Sequence, residues 1–150
     1  MYYVLVWGVR SKKITEIYDD EFFKNKMTYD QIMARNEKKG TQQYYYEMIA
    51  AGEKPDDAAI FNYKVKSADI KMLKTKGLWY IDRRLGELRY RLLGLAIMGP
   101  DAQSLGTEFN DGTFVDLFWI WYPDARQTLV NATVFNPSNS NSAISYDEML

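Results

Sequence analysis

Carboxylates are the side chains best able to do chemistry in this 150-residue sequence, because it contains neither histidine nor cysteine. Asp19, Asp20 and Glu21 stand together behind a short β-prone segment, and Asp56 and Asp57 form a second pair. Clustered carboxylates serve as general acid and base in hydrolases, or as oxygen ligands for a hard cation. A carboxylate-dependent hydrolase or a calcium-binding domain using Asp19-Asp20-Glu21 is therefore carried forward as the alternative. The plainer reading, which we prefer, is a solvated turn or a helix N-terminus, where acids are favoured. Asp116 is a sharper case: it interrupts an apolar strand, and an acid there needs a partner, expected from Arg89 or Arg91 on the adjacent strand.

The missing residue types exclude more than the present ones suggest. Without cysteine and histidine there are no disulfides, no thiolate chemistry, none of the commonest zinc ligands and no ordinary proton shuttle. No phosphate-cradling glycine loop, dinucleotide fingerprint, nucleophile elbow or EF-hand spacing occurs. The sequence thus points to no catalytic residue, no metal and no cofactor. A net charge of −1 with dispersed lysines and arginines offers no field for a phosphate backbone, so nucleic acid is not an expected partner. No run approaches the roughly 20 apolar residues of a membrane span.

What remains is an excess of aromatic residues and a local group of arginines, the side chains of which interface centres are made. Arg83, Arg84, Arg89 and Arg91 surround a short turn, with Asp82 and Glu87 among them; they form either a partner-binding patch or a cross-strand ion-pair ladder. The run Tyr44-Tyr45-Tyr46 cannot face one core from a helix, which leaves Tyr44 and Tyr46 as candidates for a surface role. Of Trp79, Trp119 and Trp121, at least two are expected in the core, and Trp121 is taken as the docking residue.

The elements that must position these groups follow from periodicity and punctuation. Tyr3, Val6, Trp7 and Arg10 at helical spacing predict a helix over 2–10, and Ile14 to Tyr18 a short strand. Thr28-Tyr29-Asp30-Gln31 has the form of a capping box and predicts a helix to about Lys39, ended by Gly40; a second helix is predicted over 42–51. A strand is expected over 60–65 and a single helical turn from Ser67. The clearest pattern is the hairpin of 78–83 and 87–98 about Arg84-Leu85-Gly86, where glycine supplies a positive φ. Phe114 to Tyr122 is the third strand, entered through the Asn110-Asp111-Gly112 turn. Strict alternation puts Val115, Leu117, Trp119 and Trp121 on one face, with Phe114, Asp116, Phe118, Ile120 and Tyr122 on the other. Pro123-Asp124-Ala125-Arg126 opens a short helix, 133–135 adds a strand, and 136–142 is an exposed loop. The fold class is α+β: an antiparallel meander of about three strands covered on both faces by short helices, forming one domain over 1–150. The apolar beginning, and a Ser145-x-x-Glu148 capping box with no helix to follow, create the expectation of a fragment of a longer protein.

Read in order, the blocks Gly8 to Phe23, Gly77 to Gly94, Val115 to Pro123 and Ser145 to Leu150 resemble the GldN/PorN family. The resemblance spans nearly the whole chain, with 31–59 its least distinctive part. It implies a periplasmic subunit of the type IX secretion system and the linked gliding machinery, without catalysis. The implied partners are an outer-membrane lipoprotein ring subunit of the GldK/PorK type, a motor-complex subunit of the GldM/PorM type, and the C-terminal domains of secreted cargo.

Overall fold

A long antiparallel hairpin organises the fold. The computed structural model describes residues 1–41, 49–52, 60–103, 113–139 and 141–150. In chain order these form helix α1 (Tyr2–Arg10), strand β1 (Ile17–Tyr18), helix α2 (Tyr29–Asn36), and strands β2 (Glu37–Thr41) and β3 (Ile60–Lys64). After a 3-10 turn at Ser67–Asp69 come strands β4 (Met72–Asp82), β5 (Glu87–Pro100) and β6 (Phe114–Trp121). Helix α3 (Tyr122–Val130), strands β7 (Thr133–Val134) and β8 (Ile144–Ser145), and the one-turn helix α4 (Tyr146–Met149) complete it. The central antiparallel sheet has the order β1-β6-β5-β4; β2 pairs with β3, and β7 with β8. The expected α+β meander is present, extended by β1 as a fourth strand at its edge.

The two faces of the sheet are closed differently. On one face, Leu95, Ile97, Leu117, Phe118 and Ile120 join Tyr2, Leu5 and Val9 of α1, Ile32 of α2, and Ala125 and Leu129 of α3 in a single buried cluster. The other face carries Tyr18, Ala96 and Trp119, flanked by Phe23 and Trp121, and is capped by the irregular segment after β1 rather than by the expected helices. Phe23 takes the left-handed conformation (φ 57°), uncommon for a bulky residue, and its ring meets Trp121 edge-on at 5.0 Å and Tyr18 at 5.4 Å. Gly94 lies beneath it: a Cβ there would come within 2.3 Å of the Phe23 ring.

A β-bulge reverses half of the predicted β6 faces. Ile97 pairs with Phe118, but the next residue, Met98, pairs with Asp116, so Leu117 is the extra residue. Leu117 and Phe118 therefore both enter the helix-covered core, whereas Asp116 joins Trp119 on the opposite face, within 3.2 Å of the indole Nε1–H. The Leu117 carbonyl accepts a bond from Arg35 Nη1 at 3.2 Å.

Local signals fixed several boundaries. Thr28 and Gln31 form the predicted capping box, and Ser145 and Glu148 form theirs, with the one turn of α4 following. α2 nevertheless stops at Asn36, not near Lys39, and Gly40 sits within β2. The pairing of Glu37–Thr41 with β3 overrides the helical tendency there, and Lys64 meets Glu37 at 2.6 Å. Asn36 is fully buried, donating through Nδ2 to the Tyr2 hydroxyl at 3.3 Å. α1 has its predicted limits, but Tyr3 and Trp7 lie on its exposed side while Tyr2, Leu5, Gly8 and Val9 are buried. The predicted helix over 42–51 and the Asn110-Asp111-Gly112 turn lie, wholly or largely, outside the described residues.

Candidate functional site

The distal half of the β4–β5 hairpin runs past the rest of the sheet. β6 pairs with β5 only over Gly94–Pro100, whereas β4 and β5 remain paired to Asp82 and Glu87. The ribbon is closed by a turn built around Asp82, whose Oδ1 accepts from the backbone N–H of Arg84 at 2.9 Å and whose carbonyl accepts from Gly86 N–H at 2.7 Å. Gly86 supplies the required positive φ of 68°.

Cross-strand partners share a face, so the register divides this ribbon into two surfaces. Trp79 pairs with Tyr90 and Ile81 with Leu88, which makes one surface wholly apolar. It is also open: Ile81 is 70% exposed, Leu88 65% and Trp79 64%, with Leu85 exposed at the turn. The Trp79 and Tyr90 rings pack at 5.0 Å, and Gly77 gives Tyr90 room, since a Cβ would fall 2.2 Å from its ring. At the base of this surface is a depression of about 350 Å³ between Tyr90, Leu92, Tyr122, Pro123 and Arg126. The opposite surface is mixed, with Leu78 paired to Arg91, Tyr80 to Arg89 and Asp82 to Glu87.

The arginines do not form an ion-pair ladder. Arg89 meets Glu87 along its own strand at 3.2 Å, and among the described residues Arg83, Arg84 and Arg91 make no ion pair. Asp82 is engaged by the turn. Four arginines thus stand beside an exposed apolar ribbon against two carboxylates, Asp82 and Glu87, which leaves a local excess of positive charge.

Other predicted residues fall elsewhere. Trp121 is half-buried against Phe23, and Trp119 is buried; Trp79 is the member of the trio left in solvent. Tyr44 and Tyr46 lie outside the described residues. Sequence reasoning passed over Trp79, Ile81, Leu85 and Leu88. Their signal was the unbroken run Leu78-Trp79-Tyr80-Ile81, which lacks the polar alternation of a half-exposed strand. A smaller exposed aromatic patch is formed by Tyr3 and Trp7, with Lys13 Nζ 4.6 Å from the Trp7 ring.

Two of the three clustered acids are held structurally through their side chains. Asp19 pairs with Arg35 at 2.6 Å and so helps hold the guanidinium against the bulged Leu117 carbonyl. Asp20 accepts backbone N–H bonds from Phe22 at 2.7 Å and from Lys24 and Asn25 at 3.3 Å; the Glu21 carbonyl accepts from Lys76 Nζ at 2.7 Å. Asp56 and Asp57 are outside the described residues, among which no three candidate ligands converge on a metal position. Asp116 is held by Lys74, 3.0 Å from both its oxygens, and not by Arg89 or Arg91. Those arginines pair with Tyr80 and Leu78, beyond the last residue of β5 that β6 reaches, whereas Lys74 crosses only the small Ala96. Nearby, Lys26 and the Tyr18 hydroxyl both donate to Glu16 and hold its carboxyl below its ordinary range.

These features define a class before they define a family: an α+β module that presents an exposed apolar and cationic hairpin from a closed core. The chain belongs to the GldN family, gliding motility associated protein GldN, whose family model matches residues 1–150. It is a component of the gliding-motility and type IX secretion machinery, and as such a member of a complex with other subunits. A search of curated proteins returns no match. Among the described residues no helix is long and apolar enough to cross a membrane.

Proposed function

We propose that residues 1–150 form one core domain of a periplasmic scaffold subunit. In this reading it forms rings with an outer-membrane lipoprotein of the GldK/PorK type, contacts a motor subunit of the GldM/PorM type, and meets secreted cargo. Its role is assembly rather than turnover, and the β4–β5 hairpin is its docking element. The observation that carries this reading is the exposure of Trp79, Ile81, Leu85 and Leu88 together beside Arg83, Arg84, Arg89 and Arg91. Exposed large apolar groups cost solubility, and their concentration on one element marks an interaction site more often than chance scatter does. Engagement of Asp19 and Asp20 in an ion pair and a turn favours this over a hydrolytic or calcium-binding role.

The test is association with purified secretion components, one at a time, before and after reversal of Arg83, Arg84, Arg89 and Arg91 to glutamate. Binding to at least one component is expected to fall by about tenfold or more, the loss typical of a desolvated cationic anchor. Unchanged binding to every component would show that the patch has been assigned wrongly. Fractionation of the native cell tests the compartment, and release of the protein with cytosolic markers would exclude the periplasmic role.

A further inference from the structure

We propose that the outer edge of β4 over residues 78–82 accepts an extended segment of a partner protein as an additional β-strand, and that this segment alternates apolar with acidic residues. The inference rests on the docking role of the hairpin and specifies how docking occurs. β4 is an edge strand of 11 residues, and among the described residues its only strand partner is β5. An open edge of that length presents a row of unpaired N–H and C=O groups, which proteins ordinarily protect with short strands, proline or charge.

Protection is present on one half of β4 and missing from the other. Lys74 and Lys76 lie on the half backed by the rest of the sheet, and their ammonium groups are drawn inward to Asp116 and the Glu21 carbonyl. Leu78, Trp79, Tyr80 and Ile81 carry no charge and include no proline or glycine, and the one charge of the segment, Asp82, sits at its end and is tied into the turn. This is the half that projects beyond β6, so an incoming strand meets no other element of the central sheet there.

The two surfaces of the ribbon specify the incoming side chains. On one face an added strand would lie beside Trp79 and Ile81, with Tyr90 and Leu88 behind them; apolar side chains fit. On the other it would lie beside Leu78 and Tyr80, with Arg91 and Arg89 one strand further back. Backbone to backbone, two strand spacings are roughly 10 Å, slightly more than the screening length at physiological salt, so the arginines favour acids on that face only through the reach of their long side chains across β4. Arg91 is free of an ion pair there among the described residues, while Arg89 is shared with Glu87, and Asp82 disfavours an acid beside itself. A second copy of this chain fits less well, because its own residues 78–82 hold one acid, Asp82, and do not alternate apolar with acidic side chains.

Strand addition makes affinity depend on the main chain, with alternate side chains setting specificity. The full chain is titrated with a synthetic peptide alternating valine and glutamate, its lysine-for-glutamate analogue, and two N-methylated versions blocking either the odd or the even amides. The parent peptide is expected to bind, with the lysine analogue at least about tenfold weaker. Methylation of one parity should abolish binding while the other is tolerated, and amide exchange should slow over 78–82. Equal binding of parent and both methylated peptides, or of the lysine analogue, overturns the proposal. So does failure of every peptide to bind while the chain dimerises in a manner abolished by Ile81→Arg, since the occupant would then be a second copy. Arginine reversal that weakens component binding, combined with no effect of methylation, removes strand addition alone. Arginine reversal without effect on any component removes the docking role itself.

Discussion

Within the single strand β5, Leu95 and Ile97 are sealed at 0% and 1% exposure, while Leu88 leaves 65% of its surface in solvent. Both halves are built from β-prone apolar residues, so propensity does not separate them. Neighbours do. Leu95 and Ile97 have β6 on one side, β4 on the other and helices α1 and α3 sharing their cluster, whereas Leu88 has only Ile81 across the ribbon. Apolar residues in the covered half hold the fold together. Comparable residues in the projecting half contribute little to it and are available for a partner.

That contrast can be broken most forcefully from the covered side. Phe118→Ala, at a fully buried position, is expected to destabilise by about 3–5 kcal/mol, read by chemical denaturation. A smaller cost is expected where the second face is closed. Gly94→Ala pushes a methyl into a Phe23 ring wedged among Tyr18, Trp119 and Trp121, and about 1–3 kcal/mol should be lost. Survival of either variant at wild-type stability would show that the covered half is not the structural one.

The next effect is gated by pH. Burial, first among its causes, pushes Tyr2 up to about 12; burial and then the hydrogen bond to Asp147 push Tyr122 up to about 12, against an ordinary value of 10.0. The fold therefore favours the neutral phenols. Their contribution is complete below pH 10 and is lost as pH rises towards 12, by about 1 kcal/mol once solvent screening is allowed for. Denaturation at successive alkaline pH values should show the decline, and Tyr122→Phe should flatten part of it. The smallest effect belongs to the projecting ribbon, where Ile81→Ala and Leu88→Ala should change stability by no more than about 0.5 kcal/mol while weakening partner binding. A loss approaching that of Phe118→Ala would dissolve the distinction.

Much of this architecture was readable from local chemistry. The capping boxes at Thr28 and Ser145, the Gly86 turn, the limits of α1 and the hairpin itself are decided by residues close in sequence, so short windows contain the cause. Failures came where distant residues decide. Nothing in Glu37-Lys38-Lys39 announces a strand, because its partner lies some 25 residues away in β3. The partner of Asp116 was misassigned because alternation gives faces but not register: Asp116 pairs with Met98, well along β5 from Arg91 and Arg89, and Lys74 is the cation within reach. The arginine group was visible, but the greater exposure of Trp79 over Trp121 was not, since only the short reach of β6 leaves the hairpin uncovered.

The placement of Lys74 and Lys76 has a consequence for protein supply. Those lysines secure the sheet and shield their own half of the strand, but the spacing they give ends at Lys76 and does not extend to residues 78–81. A subunit made faster than its partner would carry a bare, sticky margin through the cell compartment, prone to clumping with whatever extended chain it met first. Matched production of subunit and partner would limit that exposure, a demand set by where the lysines of β4 end.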